Sequence, residues 1–209
     1  MMRLSFEYGQ GVMEAELPDN ADVFIPGETV PDPPYLIDPE ETTRKAILNP
    51  IGMPPISELV KKSSKVTIVF PDKVKGGFQQ NSHRKVSIPL VIEECLKAGV
   101  EKKDIKLICS NGLHRKNTPE EIKSILGEKI FNEFYWTNQI VNHDSEDWNN
   151  LIDLGRDEMG NRVIMNKEVY ESDLAVLIGH TLGNPYGGYS GGYKHCVTGI
   201  THWKSIASH

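Results

Sequence analysis

A chain of 209 residues with 38% apolar content can bury one sizeable core, and its formal charge of -6 with no dense Lys/Arg run excludes a general nucleic-acid binder. No stretch approaches the ~20 apolar residues of a membrane span, and Met1 to Tyr8 lack the apolar run of a secretion signal, so a cytoplasmic protein acting on a small molecule is expected, with no membrane partner. Cys95, Cys109 and Cys196 are odd in number and show no close pairing, which fits reduced thiols rather than a disulfide framework or a cysteine-rich zinc module.

In chain order, residues 2–25 alternate as one or two strands around Gly9-Gln-Gly11, predicting an antiparallel hairpin. From Pro26 to Pro39 five prolines and several acids predict a loop or arm. Two short helices follow over 40–49 and 56–62, separated by Asn49-Pro50 and Pro54-Pro55, whose prolines disfavour helix at the preceding residue. Lys65 to Phe70 reads as a strand, Ile88 to Ala98 as a helix ending at Gly99, and Ile105 to Cys109 as a second strand, which together make a crossover unit with parallel strands. Thr118-Pro119-Glu120-Glu121 supplies an N-cap, a proline at N1 and a capping-box glutamate for a helix to Leu126. Gln139 to Asn142 reads as a strand, 151–154 and 162–165 as a hairpin around Asp157 to Gly160, and Leu174 to Ile178 as a closing buried strand. The fold expected is therefore α/β, a mainly parallel Rossmann-like sheet flanked by helices, with an amino-terminal β-hairpin.

Chemistry-bearing residues follow three of these strands: Asp72 to Gly77 after the first core strand, Ser110 to Arg115 after the second, and Gly179-His180 after the last. Parallel strands put their carboxyl ends on one crevice, so Asp72, His114 and His180 are expected to gather there. Downstream, glycines 187, 188, 191 and 192 flank Ser190 and precede Lys194, beyond what a single turn requires but without a Rossmann or Walker pattern. Glycine lets backbone approach a bulky anion, and a lysine serves as a charge or as an amine nucleophile. His195, His202 and His209 recur every seven residues, one face of any continuous helix. That interval spans roughly 10 Å and cannot converge three nitrogens on one ion unaided, so a single one of them is expected as a ligand.

The ordered set Asp72 to Lys75, Asn111-Gly-Leu-His114, Gly179-His180, Ser190-Gly-Gly-Tyr-Lys194 and a histidine fifteen residues further on resembles the lactate racemase family, from the amino-terminal strands to the last residue. Members of that family use a nickel pincer nucleotide, the pyridinium-3-thioamide-5-thiocarboxylic acid mononucleotide. The resemblance implies that Lys194 carries this cofactor through a thioamide, with Asp72, Ser190, Gly191 and Gly192 around it, and that His209, or a residue beyond the chain end, completes nickel coordination. It implies His114 and His180 as the two acid/base groups of a 2-hydroxy acid racemase or epimerase. One takes the hydroxyl proton while the α-hydrogen leaves as hydride, and the planar keto acid is reduced again from either face. Where better-known members have Asp-x-Thr-Arg, this chain has Asp72-Lys73-Val74-Lys75 and then Arg84, so the substrate carboxylate clamp is expected at Lys75 or Arg84. Lysine lacks arginine's bidentate fork, which implies an altered substrate preference.

Residues 1–209 are accordingly read as the amino-terminal catalytic and cofactor-binding domain of a longer protein, whose second domain would close over the site. The isolated piece is expected to keep its fold without activity, and the implied partners are a small 2-hydroxy acid and the proteins that build the cofactor. Two other classes remain open on the residues alone: a nucleotide- or cofactor-binding module without turnover, and a zinc-dependent hydrolase built on the histidine-rich tail.

Overall fold

A computed structural model describes residues 1–209 except 26, 33, 78, 180, 182, 185–187 and 209. The chain divides into two compact units, residues 1–37 and 38–209. In the first, β1 (Met2–Tyr8) and β2 (Gly11–Leu17) pair antiparallel from Met2 opposite Leu17 to Tyr8 opposite Gly11. The tight turn between them uses Gly9 at φ +59°, a left-handed conformation that glycine adopts without strain.

The second unit opens with α1 (Pro39–Leu48), where Asp38 accepts from Glu41 N at 2.9 Å and Pro39 occupies N1. The next helix, α2 (Ile56–Leu59), stops three residues short of its expected end, with Val60 already extended. Four parallel strands then form the core sheet: β3 (Val66–Phe70), β4 (Ile105–Cys109), β5 (Ile140–Asn142) and β8 (Leu174–Leu177), in the order β5-β4-β3-β8. All five residues of β3 are buried, as a central strand covered on both faces requires. Between β3 and β4 runs α3 (Arg84–Lys97), which begins one turn before the expected Ile88. Pro89 lies inside its amino-terminal half, where the missing N–H removes a single bond from the ladder. Gly99 at φ +93° ends the helix as read.

Thr118 caps α4 (Pro119–Leu126) in a complete capping box with Glu121. A further helix, α5 (Glu128–Phe134), follows Gly127 directly and buries Ile130, Phe131 and Phe134. The strands β6 (Leu151–Arg156) and β7 (Arg162–Asn166) form the expected hairpin, and the short α6 (Lys167–Tyr170) leads into β8. After β8 come the two-residue strands β9 (Gly183–Asn184) and β10 (Gly188–Tyr189), a π-turn over His195–Gly199 and α7 (Trp203–Ile206).

The larger apolar core lies on one side of the sheet, where Ile68, Phe70, Ile105 and Leu107 meet Ile88, Val91, Ile125 and Phe134. A smaller one joins Val69 and Ile108 to Val169 and Ile200, so α6 and the end of the π-turn segment cover the other side. Chain order reverses between β3 and β8. In open α/β sheets such a reversal leaves a crevice beyond the strand ends, which is where ligands bind.

Candidate functional site

A cleft opens at that reversal, lined by residues of all three loops: Pro71 and Lys75 after β3, Ser110 after β4, and Ser190, Gly191, Lys194, His195, Thr198 and Gly199 of the segment after β8. The cleft is open to solvent and holds about 430 Å³ of empty space, part of it bulk solvent.

Lys194 sits at the start of the π-turn, and its Nζ donates to Thr198 Oγ1 at 3.2 Å. Burial, and then the neighbouring charge of Lys75, hold its ammonium below the usual lysine range. A larger share of neutral amine makes a lysine more nucleophilic. Ser190 and Gly191 stand in the same wall, and Gly191 and Gly192 take φ of +77° and +52°. Glycine takes these left-handed conformations without strain and leaves the wall there without side chains. Lys75 supplies a cation from the opposite loop.

Asp72 immediately follows Pro71. Only 2% exposed, it receives a hydrogen bond from His114 Nδ1 on Oδ2 at 2.6 Å, while Oδ1 is buried with no hydrogen-bond partner among the described residues. The loop carrying His114 is held by Asn111, whose Nδ2 donates to the His114 carbonyl at 3.1 Å, and by Asn117, whose Oδ1 accepts from Lys73 N at 3.0 Å. The structure thus joins two residues expected in separate roles, one as a base and one beside the cofactor.

Arg84 lies elsewhere. Its side chain is fully buried and does not line the cleft; Nη1 and Nη2 donate to the carbonyls of Gly76 and Lys75 at 2.5 and 3.2 Å, and a Cβ on Gly77 would collide with the guanidinium. Burial pulls its pKa down from the ordinary arginine value. Of the two expected carboxylate clamps, only Lys75 reaches the cleft wall, because Arg84 is spent on shaping the loop that presents it.

The continuous helix that would align the heptad histidines does not form. The chain leaves the π-turn at Ile200, bridges Thr201 to Met165, and restarts as α7. His195 is buried against Ser110 Oγ at 2.8 Å, whereas His202 packs at a tilt between the rings of Trp148 and Trp203 and accepts from Lys204 N. Among the described residues no three His, Cys, Asp or Glu side chains converge as a metal cluster. His180 and His209, expected as the second base and the nickel ligand, lie outside the described residues. Ser110, Thr198 and the buried place of His195 were not singled out from sequence; Ser110's position one residue past a core strand was the available signal.

The described donor set fits a lysine-linked, anion-bearing cofactor: a half-buried amine, a glycine-bounded wall and a second lysine converge in one cleft. Residues 8–209 match the family model described as the lactate racemase N-terminal domain. The chain is 29% identical over 167 residues to a lactate racemase of Lactiplantibacillus plantarum, covering 80% of this chain and 37% of that protein. It is 26% identical over 200 residues to a lactate racemase of Thermoanaerobacterium thermosaccharolyticum, covering 96% and 45%. The solved lactate racemase apoprotein from T. thermosaccharolyticum superposes with a TM-score of 0.66 at 25% identity, over 96% of this chain and 44% of that one. A Thermotoga maritima protein shares the fold with a TM-score of 0.54 at 18% identity, over 81% and 41% of the two chains. The chain therefore spans less than half the length of these relatives. By the match over residues 8–209, the chain belongs to the lactate racemase N-terminal domain family.

Proposed function

We propose that this chain is the amino-terminal, cofactor-holding part of a longer enzyme that racemises or epimerises a 2-hydroxy acid, with a nickel pincer nucleotide attached at Lys194. The observation that carries this reading is the cleft at the strand reversal, where a lysine with depressed basicity faces Lys75; the Asp72–His114 couple bridges the loops after β3 and β4 and does not itself line that cleft. Ser190, Gly191 and Gly192 would flank the nucleotide, and His209 would ligate nickel. When bound, the group supplies the hydride acceptor that no side chain provides.

The chain's own residues do the remaining work. Asp72 accepts the Nδ1–H of His114 and so keeps the Nε2 lone pair of the neutral imidazole for the substrate hydroxyl proton. Return of that proton completes the turnover, and with His180 as the partner base either enantiomer can serve as substrate. Lys75 neutralises the substrate carboxylate as a point charge. The proteins that build the cofactor are the partners this reading requires.

Chiral chromatography of short 2-hydroxy acids incubated with the cofactor-loaded, full-length protein tests the reading. Interconversion that falls at least a hundredfold in His114→Ala, and whose KM rises in Lys75→Ala, supports it. Loaded protein that interconverts no 2-hydroxy acid would overturn it in favour of a binding module.

A further inference from the structure

His195 is where the ends of three core strands meet. Its Nδ1 contacts Ser110 Oγ at 2.8 Å at the end of β4. Ser110 in turn is fixed to the end of β3, because both its N–H and its hydroxyl reach the Phe70 carbonyl, at 2.8 and 3.0 Å. On its other side the imidazole closes on Gly179, just past β8, where an added Cβ would collide with Nε2. The far end of the π-turn is docked on the same loop: Gly112 N donates to the Gly199 carbonyl at 3.0 Å, and a Cβ on Gly199 would lie 2.9 Å from Ser110 Cβ. Lys194 therefore caps the start of a turn whose two ends, His195 and Gly199, are pinned to the loop after β4.

From this geometry we propose that Ser110 and His195 act as a clasp that positions Lys194 in the cleft, making both of them positioning residues. The functional meaning of the clasp rests on the reading of Lys194 as the cofactor attachment point. The hydroxyl of Ser110 has one proton and two neighbours, the Phe70 carbonyl and His195 Nδ1. Both contacts are satisfied at once only when the imidazole donates from Nδ1 and the hydroxyl donates to the carbonyl. The clasp thus needs a donor at the Nδ1 position, which an asparagine amide also offers and a leucine does not. Thr198 holds the other end of the lysine, accepting from Nζ and donating to the Lys194 carbonyl, each at 3.2 Å.

Lysine acetylation of the unloaded protein, followed by mass spectrometry of the Lys194 peptide across pH 6 to 10 and compared with exposed Lys129, tests this without any cofactor. Lys194 shares the cleft with Lys75 and His195, and in the intact protein it should label with a lower pH midpoint than Lys129. In His195→Leu and Ser110→Ala the midpoint should rise toward that of Lys129, about tenfold in relative reactivity for each pH unit moved, while His195→Asn should retain the original profile. Should His195→Leu fail to fold, Ser110→Ala removes a single oxygen and carries the test. An unchanged midpoint in folded Ser110→Ala, or His195→Asn behaving like His195→Leu, would overturn the clasp. A Lys194 that labels as described but never takes up cofactor would sink the functional reading and leave the clasp standing.

Discussion

The buried carboxylate of Asp72 accepts a 2.6 Å hydrogen bond from the Nδ1 of His114, whose side chain is 43% exposed, so one end of the imidazole is fixed and the other is open to solvent. The couple joins the ends of β3 and β4 across 42 residues of sequence. Asp72→Asn keeps the size of the side chain but removes the charge and reverses the demand on the tautomer. We expect at least a hundredfold loss of kcat in the loaded, full-length enzyme with the thermal midpoint within a few degrees of the parent. Equal losses in kcat and stability would mark Asp72 as structural.

Arg84→Leu should be costly although the side chain does not line the cleft. It leaves the Gly76 and Lys75 carbonyls without their donor and strips the nearest buried cation from Asp72, a loss of about 3 kcal/mol in denaturant unfolding. A variant of parental stability with a raised KM would instead return Arg84 to the role of carboxylate clamp.

Acid should loosen the region where the chain returns over the sheet. His143 is 1% exposed, donates from Nε2 to the Thr201 carbonyl at 3.0 Å and packs its Nδ1 against Asn166 Nδ2. Burial pushes its pKa below the ordinary histidine value, and His202 is shifted the same way, also chiefly by burial. A group whose folded pKa is depressed gives stability that is present above its unfolded pKa, about 6.5, and lost as pH falls from there through the folded value. Urea midpoints should therefore decline below about pH 6.5, and His143→Gln should flatten that decline; an equal slope in the variant would remove His143 as its cause.

The capping box of α4 offers a smaller, local test. Thr118→Ala removes the acceptor for Glu121 N and should cost about 1 kcal/mol. Glu121, held down to about 2 chiefly by Arg115, keeps its pairing until strongly acidic pH, so this cost should be nearly constant from pH 5 to 8. A cost that varied across that range would show that the cap and the ion pair are linked.

Much of this fold is legible because its signals are local. The β-branched run of β3, the matching apolar run of β4 and the Thr118-Pro119-Glu120-Glu121 start each determine an element through neighbours a few residues away. Helix α3 starts one turn before Ile88 because that turn is stabilised by tertiary burial of Arg84 and Ile88, which local spacing does not carry. Helix α5 is not legible locally, since it follows directly on Gly127 and is sustained by the long-range packing of Ile130, Phe131 and Phe134. At the site, the strand-end rule named Asp72, His114 and His180, and the family resemblance added Lys75 and Arg84. Neither could show that Asp72 and His114 bond to each other, that Arg84 turns inward, or that His195 leaves its heptad partners to lock onto Ser110, because each depends on which loops the sheet order brings together.

Whether Lys194 is the covalent anchor is decided by peptide mapping with metal analysis of full-length protein produced together with the cofactor-building proteins. An adduct on the Lys194 peptide and about one nickel per chain are expected. An unmodified Lys194 under conditions that load a known lactate racemase would contradict that role.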